Sequence, residues 1–466
     1  MNSGSGFSLP VPRVQPPLDK NFRPAILARR AFAREVGQSS LKVEVALERT
    51  GGAASRFSMS IASEGHPLEP VNYMQVERWL KFLLWSRGGA KVSISGPENL
   101  VAALQRHYRE EPTGRFDADI MGNKVYDRPF EIAPVAAREL PPAKEDAAPL
   151  GRHWNGCRIG FDLGASDRKV AAVQDGKVLF TEETPWNPRV ETDPQWHFSQ
   201  IMECLKRAAT HLPRVDAIGG SSAGIYVNNQ VQVASLFRGV PEPLFRTRIK
   251  GLFAELKRAW GDIPFDVVND GEVTALAGAM ALKESAVLGI AMGSSEAAGY
   301  VTPEGNITSW LNEMAFAPVD YNPNAPVDEW SGDYGCGVQY FSQQALGRLV
   351  PASGLEIDKQ SSLPDQLVEV QHFMARGDER AAQIYDTIGT YLGYTIPHYS
   401  DFYRFKHLLL LGRVTTGAGG ARIVEHASQV LAEEFPELAP QIAIHLPDEK
   451  EKRHGQAVAA ASLPAL

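Results

Sequence analysis

Long apolar runs are missing from this sequence. No stretch of about 18 apolar residues occurs, so no segment reads as a membrane-spanning helix. Cysteine is scarce: Cys157, Cys204 and Cys336 are three scattered thiols in 466 residues, too few for a disulfide framework. They fit a reducing, cytoplasmic setting. Basic charge is not in excess either. Lys plus Arg number 47 against 55 Asp plus Glu, a formal net charge of -8, which argues against a general nucleic-acid or membrane binder. The opening MNSGSGFSLPVPRVQPPLDK has no apolar core or cleavage pattern and does not read as a signal peptide. What is present is ordinary: 44% hydrophobic and 22% charged residues, in a chain long enough for two or three domains with sizeable cores.

Composition divides the chain. Residues 1–24 are rich in Gly, Ser and Pro and read as a flexible or draped arm. An α+β accessory domain follows over 25–140, read as hairpin, helix, strand, helix, strand. Its first helix, NYMQVERWLKFLLWSR, ends at Gly88-Gly89 and places Trp79, Phe82 and Leu83 on one face at helical spacing, a core face. PPAKEDAAPLG belongs to a linker over 141–155. The remainder alternates strands and helices. Hairpins carrying small-residue turns occur twice, at 159–183 and 287–309, which reads as a duplicated α/β architecture. In the first, Asp175-Gly176 is a strong two-residue hairpin signal.

Three small-residue turns carry the candidate chemistry. The first holds Asp162, Gly164 and Ser166, the second Gly293, Ser294, Ser295 and Gly299, and the third Gly412, Thr415, Thr416 and Gly417. Phosphate needs backbone N–H donors at close range; Gly permits that approach and Ser or Thr adds hydroxyl donors. A nearby carboxylate can hold Mg²⁺ through water. Each turn alone reads equally as a simple connection. The candidate base is Asp270 in VVNDGEVTAL, between a strand and a helix. Helix capping explains the same residues, because Asn269 with Glu272 resembles a capping box. Spacing alone leaves both open.

The order of these motifs resembles the ROK family of repressors and sugar kinases, within the actin-like ATPase superfamily. The resemblance covers roughly residues 156–466. Beyond the D-x-G-x-S hairpin, GDYGCGVQYFS at 332–342 is similar to the family's G-x-x-G-C-x-E-x-x-x-S stretch, LNEMAFAPV to its G-E-x-G-H segment, and GQAVAAASL to its final Gly/Ala helix. The resemblance implies duplicated actin-like (ribonuclease H-like) ATPase lobes: a first lobe over 156–268, rejoined by a helix at 450–466, and a second over 269–449. It implies ATP-dependent phosphorylation of a sugar or polyol hydroxyl, with Asp270 as general base. Asp162 would hold Mg²⁺ through water, Gly164, Ser166, Gly293 and Ser294 would lie on the phosphates, and Gly412 beside the adenosine. Asn269 and Glu313 would bind sugar hydroxyls, with Ser235 where the family has a sugar-binding Asn. A small-molecule carbohydrate partner and a homodimer are implied; nucleic acid and membrane are not.

Departures from the family pattern shape the expectation. Phe316 stands where the family has a His that helps bind both zinc and sugar, and Glu329 and Ser331 stand where it has Cys. Only Cys336 remains of the zinc set, and one thiol makes no tetrahedral site, so no zinc is expected and Cys336 reads as a small buried residue. Glu296, Ala297 and Ala298 replace Gly in the second turn, and Arg413 replaces Gly in the third. A carboxylate at Glu296 would repel triphosphate unless Mg²⁺ or a basic residue intervenes; the alternative is that it points outward to solvent. These changes support an alternative, a non-catalytic carbohydrate- or partner-binding relative with a decayed ATP site. A DNA-binding repressor is disfavoured: residues 1–150 hold 20 Lys plus Arg against 17 Asp plus Glu, with no basic cluster on one helix.

Overall fold

The computed structural model describes residues 7–145, 150–358, 360–447 and 455–466. Residues 1–6 of the expected arm, 146–149 of the linker and 450–454 of the returning helix lie outside the described residues. In chain order the elements are α1 Ala25–Val36, β1 Ser40–Glu48, β2 Ala54–Ala62, α2 Asn72–Arg87, β3 Lys91–Ser95, α3 Glu98–Glu110, α4 Pro112–Ala118, β4 Glu131–Pro134, β5 Cys157–Leu163, β6 Asp167–Gln174, β7 Lys177–Pro185 and α5 Pro194–Ala209. They continue as β8 Ala217–Ser222, β9 Ile225–Val227, β10 Gln230–Val233, α6 Glu242–Leu244, α7 Leu252–Ala259, β11 Phe265–Asn269, α8 Asp270–Leu282, β12 Val287–Met292 and β13 Glu296–Val301. The last are α9 Gln343–Ser353, α10 Leu363–Ala375, α11 Glu379–Ser400, β14 His407–Leu411, α12 Gly417–Glu434, β15 Ala443–His445 and α13 Gly455–Ala461. The chain forms two compact units, one of Met1–Glu145, Ile290–Ala297 and Trp310–Leu446, the other of Asp146–Gly289, Ala298–Ser309 and Pro447–Leu466.

The second unit contains the five-stranded sheet β11-β8-β5-β6-β7. Strands β5, β8 and β11 run parallel, while β6 and β7 return antiparallel. The β6–β7 turn is Asp175-Gly176, with φ of 48° and 79°, as a two-residue turn with both centres left-handed requires. Alternation along β5 sends Ile159, Phe161 and Leu163 into a core shared with α5 and α7. The opposite face carries Gly160, and β8 carries Gly219. A Cβ on either would collide with α13, at Ala457 O and Ala460 O respectively. The helix therefore lies directly on strand backbone, and Ala457 and Ala461 complete the contact against Ala171 and Val173. Arg158, fully buried, donates to Pro464 O at 2.7 Å. Gly160→Ala is expected to lower unfolding free energy by about 1–3 kcal/mol, the usual cost of overpacking. Urea unfolding tests this; a change below about 0.5 kcal/mol, within the range of a surface substitution, would contradict it.

The first unit holds the sheet β2-β1-β3-β4, in which β1 pairs antiparallel with both β2 and β3. Its order of elements departs from the pattern read from the sequence at two places: α1 precedes the hairpin, and residues 112–125 are helical, leaving only Glu131–Pro134 as the last strand. The helix α2 differs from that reading. Instead of one core face, 14 of its 16 residues are buried, including Glu77, Arg78, Lys81 and Arg87. Such charges are tolerated because most are paired, as shown below. Further along, Gly389 and Gly393 on α11 let α12 approach closely, since a Cβ there would meet Ile423 and Val430. Residues 7–24 lie along this helical region: Val14 N donates to Tyr394 Oη and Leu18 N to Thr387 Oγ1, each at 3.1 Å. Phe22 is fully buried against Tyr340, Tyr391 and Tyr394. A second four-stranded sheet has the order β13-β12-β14-β15.

Candidate active site

In the second unit the sheet register assembles a polar cluster at the carboxyl ends of the parallel strands. Asp162, next to last on β5, lies opposite Lys169 of β6 and Ser221 of β8. Ser221 Oγ donates to Asp162 Oδ1 at 2.7 Å, and Lys169 Nζ lies 3.4 Å from Oδ2 and 2.7 Å from Asp167 Oδ1. Asp162 is 4% exposed; burial raises its pKa, with Lys169 and Ser221 opposing. The turn that follows is tight. Gly164 N donates to Asp167 O at 2.9 Å, and Trp186 holds the turn through Gly164 O and Ser166 O. Ser166 is exposed, its hydroxyl donating to Asp167 Oδ2 at 2.9 Å.

Two strands away, β11 ends at Asn269, opposite Ser222, and α8 begins at Asp270. Asn269 caps α8: its Oδ1 accepts from Gly271 N at 2.7 Å, while its Nδ2 donates to Gly224 O at 2.6 Å. Glu272 accepts from Tyr300 N at 3.2 Å, so its carboxylate also ties α8 to β13. Capping thus accounts for Asn269, and Asp270 is left for another use. Its carboxylate is half-buried at the helix start and accepts from Gly271 N at 3.0 Å. Its pKa is pushed up to about 6, first by burial and then by the charge of Asp162. The structure therefore brings Asp162 and Asp270 into electrostatic contact at the carboxyl ends of the parallel strands, with Gly164 and Ser166 on the adjoining turn. Ser235 is exposed at the start of a short helical turn, Ser235–Phe237.

In the first unit the second and third turns are neighbours. Gly412 has φ of 91°, and a Cβ there would run into the backbone of Met292, next to Gly293. Gly293 N closes its own turn on Ser295 O at 3.0 Å, while Ser294 and Ser295 are exposed. Arg413 is exposed as well. Glu296 does not point outward. It is 3% exposed, within 3.5 Å of Tyr399 Oη, and its Oε2 fills the space a side chain at Gly337 would need. Burial pushes its pKa up to about 8, Glu313 adding to the effect, so at neutral pH it is largely uncharged. The repulsion expected of a carboxylate at this turn is thereby removed.

Phe316 is buried among Trp85, Phe116 and Trp330, with ring centroids 4.3, 5.9 and 5.4 Å away. Cys336 is fully buried, and burial pushes its thiol up to about 12. Among the described residues no group of three His, Cys, Asp or Glu side chains is arranged to hold a metal ion.

Sequence reasoning missed Lys169 and the specific role of Ser221. The signal for Lys169 was available: a tight turn over 163–167 brings residue 169 opposite 162 by simple register. Ser221 required knowledge that β8 is the other neighbour of β5.

No family model matches the chain, and neither does any curated protein. Solved structures do. A ROK hexokinase from Thermus thermophilus is 17% identical, covering 66% of this chain and 97% of its own, with a TM-score of 0.53. A ROK family transcriptional regulator, described as a homolog of the E. coli MLC protein, is 19% identical, covering 66% of this chain and 78% of its own, also at 0.53. At such identities the likeness establishes fold: over about two thirds of its length this mixed α/β chain shares the fold of these ROK proteins, with room for an additional domain. An enzyme and a regulator share that fold equally, so the site must carry the functional argument.

Proposed function

We propose that this chain transfers a phosphoryl group from ATP to a hydroxyl of a sugar or sugar-like polyol. The observation that carries the reading is Asp270: a half-buried carboxylate beside Asp162, freed from capping by Asn269, with a pKa of about 6. Such a group is ionised at neutral pH yet basic enough to accept a proton. As the acceptor oxygen attacks the terminal phosphorus, the bond from that phosphorus to the bridging oxygen breaks, ADP leaves, and the hydroxyl proton passes to Asp270 Oδ. Asn269 caps the helix through Oδ1 and donates one amide hydrogen to Gly224 O, which leaves its second amide hydrogen as a proposed acceptor contact. Ser235 and Glu313 are proposed acceptor contacts.

The residues fit a metal-bound nucleotide. Asp162 and Asp270 raise the cost of each other's charge, which a nearby cation relieves. Asp162 would hold Mg²⁺ through water, with Lys169 as a fixed cation beside it. Since Gly164 N and Gly293 N close their own turns, Ser166, Ser294 and Ser295 are the groups that would meet phosphate, with Gly164, Gly293 and Gly412 shaping the turns. Mg²⁺, when bound, offsets phosphate charge; positioning and electrostatics supply most of the rest.

Phe316 favours a second reading. A ring locked among three other aromatic rings offers no conventional hydrogen bond, which suits a non-catalytic binder or an acceptor less polar than glucose. Calorimetry with ATP, with and without Mg²⁺, on the wild type and Asp162→Asn, separates the two. The kinase reading expects saturable, Mg²⁺-dependent binding that weakens in the variant. Silence up to millimolar ATP would leave the non-catalytic reading standing.

A further inference from the structure

The loop that carries Glu313 has little structure of its own. Among the described residues from Trp310 to Ser342, the only helical pieces are the short turns Met314–Phe316 and Gly337–Gln339. Its anchor is α2, in the same unit. The last carbonyls of a helix have no intrahelical partner. Here Trp85 O accepts from Glu313 N at 3.0 Å, and Ser86 O accepts from Asn312 N at 3.1 Å. Asn312 takes a left-handed φ of 52°, and Tyr403 Oη donates to its side-chain oxygen at 2.8 Å. The guanidinium of Arg87 stacks 3.7 Å above the ring of Trp310 and 4.5 Å from that of Tyr403.

The grip continues up the helix. Trp85 packs on Phe316. Positions 78, 81 and 85 share a face at i, i+3, i+7 spacing. Arg78 reaches both oxygens of Asp333, at 3.1 and 2.8 Å, and Lys81 Nζ lies 3.0 Å from Asp333 and 2.9 Å from Asp117. All four side chains are at most 3% exposed. Bidentate charge-assisted bonds are strong and geometrically specific.

We propose that α2 is the positioning element of the Glu313 loop: successive turns of one buried helix fix Asn312–Glu313, Phe316 and Asp333, so that the amino-terminal module sets where the acceptor-binding carboxylate stands. This gives the module a role in acceptor selection, and it rests on the kinase reading for the part played by Glu313. Asp333→Ala is the informative variant. It detaches the loop without stranding a charge, because Arg78 keeps Glu77 and Lys81 keeps Asp117. Asp333→Asn retains size and an acceptor, and serves as the conservative rescue.

Hydrogen exchange and steady-state kinetics on the full chain, over a sugar and polyol panel, supply the test. In Asp333→Ala, amides of 312–334 should exchange about tenfold faster, while those of β5 and α8 hold, as expected of a local opening. Acceptor KM should rise about tenfold, with kcat and the KM for ATP within about twofold, the pattern of lost acceptor binding. Asp333→Asn should recover much of both. Unchanged exchange would overturn the proposal, as would faster exchange with an unaltered acceptor KM. If Asp333→Ala does not fold, Asp333→Ser, whose short side chain also cannot span to both Arg78 and Lys81, carries both readouts under the same criteria. No turnover in the wild type with any acceptor would sink the kinase reading by itself, and the exchange result would then decide whether α2 holds the loop.

Discussion

Asp270→Asn is expected to lower kcat by about 10²–10⁴, the usual contribution of a positioned acid or base, while leaving the KM for ATP within a few-fold. The amide keeps the shape and the contact with Gly271 N but cannot take the acceptor proton. A pH signature should accompany the loss. A base with a pKa of about 6 is protonated, and so inactive, below that value. In the wild type kcat/KM should therefore rise about tenfold per pH unit up to about 6 and level off above it. Asp162→Asn removes the like charge that helps raise this pKa, so the residual activity should show its acid limb displaced to lower pH. Lys169 retains Asp167 at 2.7 Å in that variant and is not left alone. Retention of wild-type kcat in Asp270→Asn would remove Asp270 from the chemistry.

The second large effect concerns stability. Glu296→Gln should stabilise the protein at alkaline pH and have little effect in acid. In the folded chain this carboxyl titrates near 8 rather than at its ordinary 4.5, chiefly because of burial. Below about 4.5 it is protonated folded and unfolded alike, so it costs nothing. Between 4.5 and 8 the folded state holds a proton that the unfolded state releases, and stability falls as pH rises. Above 8 the full cost of a buried charge remains. Glutamine is neutral throughout, so its advantage should grow from near zero at about pH 4 to roughly 2–4 kcal/mol at about pH 9. Urea unfolding across that range is the measurement; a gain independent of pH would contradict the burial argument.

Both predictions turn on carboxylates whose environments were unequally legible. Asp270 announced itself by position, after a strand and before a helix, and the cap was readable in Asn269 because capping is a local matter of two residues. What separated the two was tertiary: Gly224 and Gly271 occupy Asn269, and Asp162 supplies the charge that perturbs Asp270. Glu296 was readable only as an anomaly in a Gly turn. That it turns inward depends on Gly337 and Tyr399, which lie far along the chain. The charges of α2 were the least legible. Arg78 and Lys81 belong to residue types almost always found at the surface, and beyond the neighbouring Glu77 the partners that make their burial tolerable, Asp333 and Asp117, lie more than 30 residues away.

By itself the sequence determined the alternation of strands and helices beyond residue 156, the Asp175-Gly176 turn, the end of α2 at Gly88-Gly89 and the order of small-residue turns. These rest on backbone preferences and periodicities that a few consecutive residues specify. Only the tertiary structure decided which strands are neighbours, and hence that Ser221 and Lys169 flank Asp162, that α13 lies on Gly160 and Gly219, and that α2 anchors the loop of Glu313. Those arrangements depend on sheet order and on compensation between distant buried charges, and no local stretch of chain encodes either.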